Sequence, residues 1–212
     1  MVISKIKSFF RNKLLRIFRK KKHIVLGFYG PPNAGKSTLA NRISKDFAGE
    51  EFTTSSEIPH ETREILIKEK VLIKKGNKSL TINLVDTPGL ATKIDFEDFV
   101  KKGLKEKEAK KRAREATKGV IEAIKWLDNV DAVVVVLDAT KDPLDQVNIT
   151  LIGNLESRNI PFIIAANKID LKKASAHRIR EVFPDYEVIG ISAKTGEGMN
   201  YFYEKLIEIL SR

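Results

Sequence analysis

No cysteine occurs among the 212 residues. Disulfides, thiolate metal sites and thiol nucleophiles are therefore excluded, and the composition fits a reducing compartment. No apolar run approaches the roughly 20 residues that a membrane-spanning helix needs. Internal repeats and Pro- or Ser-rich linkers are absent as well. Residues 1–22 lack any aspartate or glutamate, yet hold nine basic side chains: Lys5, Lys7, Arg11, Lys13, Arg16, Arg19, Lys20, Lys21 and Lys22. That segment accounts for most of the net charge of +11, since the rest of the chain carries thirty basic residues against 28 acidic ones. The body is close to neutral and the basic character belongs to a tail. With 42% hydrophobic residues, the chain suits one globular domain, expected over 23–212, with a small appendage over 1–22.

Within the tail, Val2, Ile3, Ile6, Phe9, Phe10, Leu14 and Ile17 gather on one side of a helix drawn at 100° per residue, with Arg11, Arg16 and Arg19 facing away. Leu15 and Lys13 interrupt the pattern. An aromatic-rich apolar stripe between basic flanks suits a helix lying in an anionic membrane surface. Three other readings stay open: packing of the stripe on the domain itself, an RNA-contacting arm and a cleaved organellar presequence. The expected location is cytoplasmic, with the tail peripheral on the inner face of a membrane.

From His23 onward, short apolar runs alternate with longer amphipathic segments, which predicts an α/β fold with a mostly parallel six-stranded sheet, one antiparallel edge strand and helices on both faces. Strands are expected over Ile24–Tyr29, Glu64–Lys74, Ser79–Asp86, Ala132–Leu137, Ile160–Ala166 and Glu187–Ile191. The second and third form a hairpin through the turn signal Gly76-Asn77. Helices are expected over Ser37–Phe47, Leu144–Ser157, Ala174–Phe183 and Glu197–Leu210. The charged stretch Asp95–Asp128 has apolar residues at helical intervals and reads as a helix broken near Gly103 or Gly119. Its middle, Lys101–Lys118, carries nine basic and three acidic residues, consistent with a solvated face or with a partner-binding surface.

Four strings carry the chemistry. Gly30-Pro31-Pro32-Asn33-Ala34-Gly35-Lys36-Ser37, followed by Thr38, fits the phosphate-loop pattern. Its glycines let backbone N–H groups curl inward around an anion. Lys36 supplies positive charge to the β- and γ-phosphates, Ser37 offers its hydroxyl to Mg²⁺, and the helix that begins there adds its N-terminal dipole. Asp86-Thr87-Pro88-Gly89 ends an apolar strand. Asp86 is expected to hold Mg²⁺ through a water, and Gly89 to offer its N–H to the γ-phosphate, whose loss would release the loop beyond it.

Asn167-Lys168-Ile169-Asp170 reads a guanine base. The Asp170 carboxylate accepts both N1–H and the N2 amine, a donor pair that adenine lacks. Asn167 is expected to brace the loop and touch the base, and the Lys168 stem to pack across the ring. Ser192-Ala193-Lys194 adds the Ala193 N–H for guanine O6. One ligand is missing from these strings, a threonine between Lys36 and the second strand that closes the Mg²⁺ shell. Thr53, Thr54 and Thr62 are available, and Thr62 is expected because it precedes Arg63-Glu64 at the start of the strand, where this role normally falls.

Together these strings resemble the Era/TrmE/Der-like GTPases of the translation-factor-related P-loop class, with Gly-x-Pro-Asn-x-Gly-Lys-Ser as their phosphate loop. The likeness covers about residues 23 to 212. It implies a P-loop NTPase G domain that binds GTP or GDP with Mg²⁺ and hydrolyses GTP slowly as a switch, through an effector that the sequence does not identify. The RNA-binding KH domain of Era proteins is expected to be absent here, whereas the basic tail and the lengthened segment 95–128 are additions. Ribosomal RNA or a ribosomal subunit is the partner that the likeness suggests. Leu90 stands where Ras-like enzymes carry the glutamine that orients water. Relatives with this substitution often use a potassium ion held partly by the phosphate-loop asparagine, here Asn33. Lys36, Asn33, Thr62 and Gly89 are thus the expected catalytic set. A nucleotide-binding scaffold with negligible turnover is the remaining alternative.

Overall fold

Neighbouring residues along the central strands face two separate cores, and this alternation builds the domain. Strand β4 (Ala132–Asp138) sends Ala132, Val134 and Val136 to one core and Val133, Val135 and Leu137 to the other. Such a strand, buried on both faces, reads as a continuous apolar run rather than a polar–apolar alternation. The computed structural model describes residues 23–50, 65–75, 78–91, 96–101 and 103–211. The tail 1–22, Thr53, Thr54, Thr62 and the turn Gly76-Asn77 lie outside the described residues.

The remaining strands are β1 (Ile24–Tyr29), β2 (Leu66–Lys75), β3 (Lys78–Asp86), β5 (Phe162–Asn167) and β6 (Val188–Gly190). They form one sheet of order β2-β3-β1-β4-β5-β6, parallel throughout except for β2, which runs antiparallel to β3 at the edge. Helices α1 (Lys36–Ala48) and α6 (Met199–Ser211) cover one face, with Leu39, Ile43, Phe202 and Leu206 fully inside. On the other face lie α3 (Glu106–Trp126), α4 (Gln146–Ser157) and α5 (Ala176–Val182), through Ala123, Leu151, Leu155 and Ile179. Asp145 caps α4 by accepting a hydrogen bond from the Val147 N–H at 2.8 Å, an arrangement that contributes about 1 kcal/mol. The fold class read from the sequence is therefore the one observed.

Edge strand β2 is irregular. Its register with β3 shifts between Lys68 and Val71, where Lys70 adopts φ 60° and its N–H donates to Asn83 Oδ1 at 2.9 Å. A bulge with exposed lysines blunts an edge that would otherwise be free to pair with another strand.

The charged segment after β3 contains a short helix α2 (Phe96–Val100) and the long α3. The break falls at Gly103, which takes φ 95°, while Gly119 sits buried inside the unbroken α3. Among the described residues no helix is long and apolar enough to cross a membrane.

A candidate guanine-nucleotide site

In an open parallel sheet, ligands collect beyond the carboxyl ends of the strands, where successive connections leave to opposite sides. β1 is that point here, since its neighbours are β3 and β4. The sequence Gly30–Ser37 follows β1, Asp86–Gly89 follows β3, Asn167–Asp170 follows β5 and Ser192–Lys194 follows β6. All four strings therefore emerge at one end of the sheet.

The phosphate loop is shaped by two left-handed residues, Asn33 at φ 60° and Gly35 at φ 94°. Asparagine tolerates that region better than most side chains. At Gly35 no side chain fits, because a Cβ would lie 2.2 Å from Asn167 Nδ2. The loop closes on Gly89 too: Leu90 N–H donates to Gly30 O at 3.0 Å, and a Cβ on Gly89 would come within 2.7 Å of Pro32 Cα. Ser37 and Thr38 enter the first turn of α1.

Two buried charges face each other across this loop. Lys36 is 6% exposed and donates from Nζ to Pro31 O at 2.9 Å, while Asp86 is fully buried. Burial pushes the lysine down to about 8 despite the Asp86 charge. Burial likewise pushes the Asp86 carboxyl up to about 6, against the pull of the Ser37 hydroxyl, the Lys36 ammonium and the Thr87 N–H. These groups favour the ionised form from nearby, yet neither carboxylate oxygen has a well-formed hydrogen bond. A buried carboxylate with orphaned oxygens beside a hydroxyl is the donor set that a hard divalent cation takes. Among the described residues no group of three or more His, Cys, Asp or Glu side chains could hold a metal. Such an ion would need further oxygens from phosphates, as Mg²⁺ bound together with a nucleotide has.

Asn167 is the junction of the site. Its Nδ2 donates to Ala34 O at 2.9 Å, and its Oδ1 accepts from the Ala193 N–H at 3.0 Å. One side chain, 3% exposed, thereby ties the loop after β1 to the loops after β5 and β6. The bracing expected of Asn167 is present. The Ala193 N–H, expected for guanine O6, is instead committed to Asn167 in this structure. The Asp170 side chain is exposed at the turn after β5, and Lys168 holds the left-handed φ of 68°.

Two residues that sequence reasoning missed support these loops. Asp138 ends β4 and accepts from Lys168 Nζ at 2.7 Å, from Thr140 N–H at 2.9 Å and from Thr140 Oγ1 at 2.7 Å. Burial works to raise its carboxyl, but the hydrogen bonds from Lys168 and Thr140 outweigh it and hold it below the usual range. The signal was present: Asp138 is an ionisable residue ending an otherwise apolar strand, at the same carboxyl end of the sheet as Asp86 and Asn167. Arg42 on α1 donates to Ala193 O at 3.1 Å and Lys194 O at 2.7 Å. It also approaches Asp46 at 3.9 Å, which in turn accepts from the Tyr203 hydroxyl of α6 at 2.7 Å. No sequence pattern marks Arg42, because its partners are backbone carbonyls some 150 residues away.

Leu90 is buried, in one core with Tyr29, Ala123 and Leu127. Its apolar side chain is committed to packing, so this position holds no group able to orient water.

Comparison with known proteins gives the same picture. The chain is 32% identical over 204 residues to the GTPase Der of Sulfurihydrogenibium sp., covering 91% of this chain and 40% of that protein. It is 34% identical over 178 residues to the tRNA modification GTPase MnmE of Methylococcus capsulatus, covering 84% of this chain and 32% of that protein. The chain thus spans well under half the length of these curated relatives. Among solved structures, Aquifex aeolicus Era bound to GDP and AlF4⁻ superposes with a TM-score of 0.67 at 22% identity, over 91% of this chain and 58% of that one. The G domain of the Thermotoga maritima FeoB iron transporter superposes at 0.52 and 21% identity, over 88% of this chain and 98% of that one. Both share the fold. The 50S ribosome-binding GTPase family matches residues 25–168, the stretch from β1 to the start of the turn after β5, and the chain belongs to that family.

Proposed function

We propose that this chain is a guanine-nucleotide switch that binds GTP with Mg²⁺ between the phosphate loop and the two base-reading loops and hydrolyses it slowly to GDP and phosphate. The observation that carries this reading is the Asn167 junction, which holds the phosphate-binding and guanine-reading strings in one rigid unit. The burial of Lys36 and Asp86 supports it: burial penalises each charge by more than their mutual attraction offsets, and a triphosphate with its cation would add opposite charge to both.

In this reading Lys36 and the N–H groups of residues 33–38 hold the β- and γ-phosphates, and Gly89 senses the γ-phosphate. Asp170 accepts from N1–H and the N2 amine, and the Lys168 stem, pinned through Asp138, covers the base. Ser37, Asp86 and Thr62 would hold the metal, which neutralises charge on the phosphate oxygens when bound. With Leu90 in the core, no side chain acts as general base, so positioning and charge neutralisation supply the catalysis. The Asn33 side-chain oxygen is the group to hold a monovalent cation, K⁺, beside the phosphates. A phosphate-release assay separates this reading from a scaffold without turnover. K⁺ is expected to accelerate turnover over Na⁺ at equal ionic strength. Asn33→Ala is expected to erase that difference while leaving GDP binding largely intact, and equal wild-type rates in both salts would remove the cation from the mechanism.

For the tail, the favoured partner is an anionic membrane surface, supported by the apolar stripe Ile6, Phe9, Phe10, Leu14 and Ile17 between basic residues. Phe9→Glu with Phe10→Glu keeps the tail positive and is expected to abolish co-sedimentation with anionic vesicles. Retained vesicle binding by the double variant would take the apolar stripe out of the contact. Wild-type protein that does not co-sediment with the vesicles would refute the lipid reading, and loss of RNA binding on removal of residues 1–22 would make the tail an RNA arm instead.

A further inference from the structure

The α2–α3 hairpin is built apart from the rest of the domain. Phe99, Ala109 and Ala116 form a small core of their own, joined by Phe96, Leu104 and Ala113. Only the far end of α3, through Val120 and Ala123, and Leu127 just after it enter the core beneath the sheet. The first half of this helix therefore covers no strand, and the two main cores close without it.

The face of that half opposite its small core carries positive charge. At 100° per residue, Lys107, Lys110, Lys111, Arg114, Lys118, Ile121 and Lys125 share the face opposite the buried Ala109, Arg112, Ala116, Gly119 and Ala123. All seven are exposed. No acidic residue lies on that face. Glu106, Glu108, Glu115 and Glu122 stand to its sides, where Glu106, Glu115 and Glu122 pair with Lys110, Lys111 and Lys118 at (i, i+4) spacing. From Lys107 to Lys125 the ridge runs about 27 Å along the helix axis. A helix stabilised only by its own ion pairs has no need to collect its cations in one line and leave its carboxylates on the flanks.

We propose that this face of α3 docks on the phosphate backbone of a nucleic acid. A straight row of cations complements a row of regularly spaced anions, and Lys and Arg contacts to phosphates release counterions and give salt-dependent affinity. A lipid surface is the poorer match. Ile121 is the one apolar residue on the face, whereas membrane-seated helices carry an apolar stripe between their cations. None of these residues belongs to the candidate nucleotide site or to the segment 1–22.

The test uses the full chain and a fluorescein-labelled poly(U) RNA, read by anisotropy across a salt series. In one variant Lys107→Gln, Lys111→Gln and Arg114→Gln neutralise the ridge with a residue of good helix propensity. In the control Lys74→Gln, Lys172→Gln and Lys173→Gln remove the same charge from exposed positions elsewhere. Both variants keep the tail intact, and unchanged GDP binding by each shows that the fold is retained. The ridge variant is expected to bind about tenfold more weakly near physiological salt. Its salt slope should fall by about 2, as for three lost contacts to a single strand. The control is expected to lose less than about threefold. Equal losses in the two variants would show that RNA binding follows net charge or the tail. Wild-type protein that fails to bind the RNA would overturn the proposal, and so would a ridge variant that loses anionic-vesicle binding while keeping RNA binding.

Discussion

Asp170→Asn is expected to lower GTP affinity by about 100-fold or more and to raise affinity for xanthosine triphosphate. Guanine presents two adjacent donors, N1–H and the N2 amine, and a carboxylate accepts both. The asparagine amide offers one acceptor and one donor, so one donor of guanine meets another donor and is left unpaired. Xanthine carries an oxygen at position 2 and matches the changed edge. Asp170 is exposed and takes part in none of the loop-bracing hydrogen bonds seen at Asn167, so the substitution leaves the phosphate loop in place. Competition binding with the two triphosphates measures the exchange directly. A variant that still prefers GTP as the wild type does would move the base-reading role away from this loop.

Gly35→Ala is the other change expected to have a large effect, and it acts from the phosphate side. The residue holds φ 94°, where an L side chain costs about 1–3 kcal/mol. The added Cβ would also sit 2.2 Å from Asn167 Nδ2. That amide cannot simply turn aside, because it donates to Ala34 O while its oxygen accepts from Ala193 N–H. Relieving the clash breaks at least one of these bonds in a buried setting, adding about 1–3 kcal/mol. The domain is expected to remain folded, with a lower melting temperature and with GDP binding weakened by at least about 100-fold. Isothermal titration and thermal melting with and without GDP give both quantities. Because Asn167 serves all three loops, the base-specific part of the affinity should fall together with the phosphate part. A Gly35→Ala variant that lost affinity for inorganic triphosphate alone would contradict the Asn167 junction.

Much of this was legible before any fold was known, because it depends on local pattern. The buried parallel strands announce themselves as apolar runs, the phosphate loop needs its glycines and lysine at fixed spacing, and Asp86, Asn167 and Asp170 each follow such a run. Strand β4 shows where that reading stopped short. Its residues Ala132–Leu137 were legible as a buried strand, but Asp138 at its end was not assigned a task, since its partner Lys168 comes from the next strand's loop. Arg42 gave still less warning, because a helical arginine that clamps two distant carbonyls looks like any other surface cation in the sequence.

The break in segment 95–128 is a case between the two. Gly103 and Gly119 are equal as helix breakers by propensity. Only the structure separates them: Gly103 takes the left-handed φ of 95° and ends the first helix, while Gly119 keeps helical backbone and is buried within α3. What the sequence by itself determined was the fold class, the succession of strands and helices along the chain, and which strings are the candidates for phosphate and base, because spacing and residue type dictate these. The tertiary structure alone decided how those strings are held together. Asn167, Asp138 and Arg42 act through bonds between segments 30 to 150 residues apart, and contacts at that separation exist only once the sheet has brought the carboxyl ends of its strands side by side.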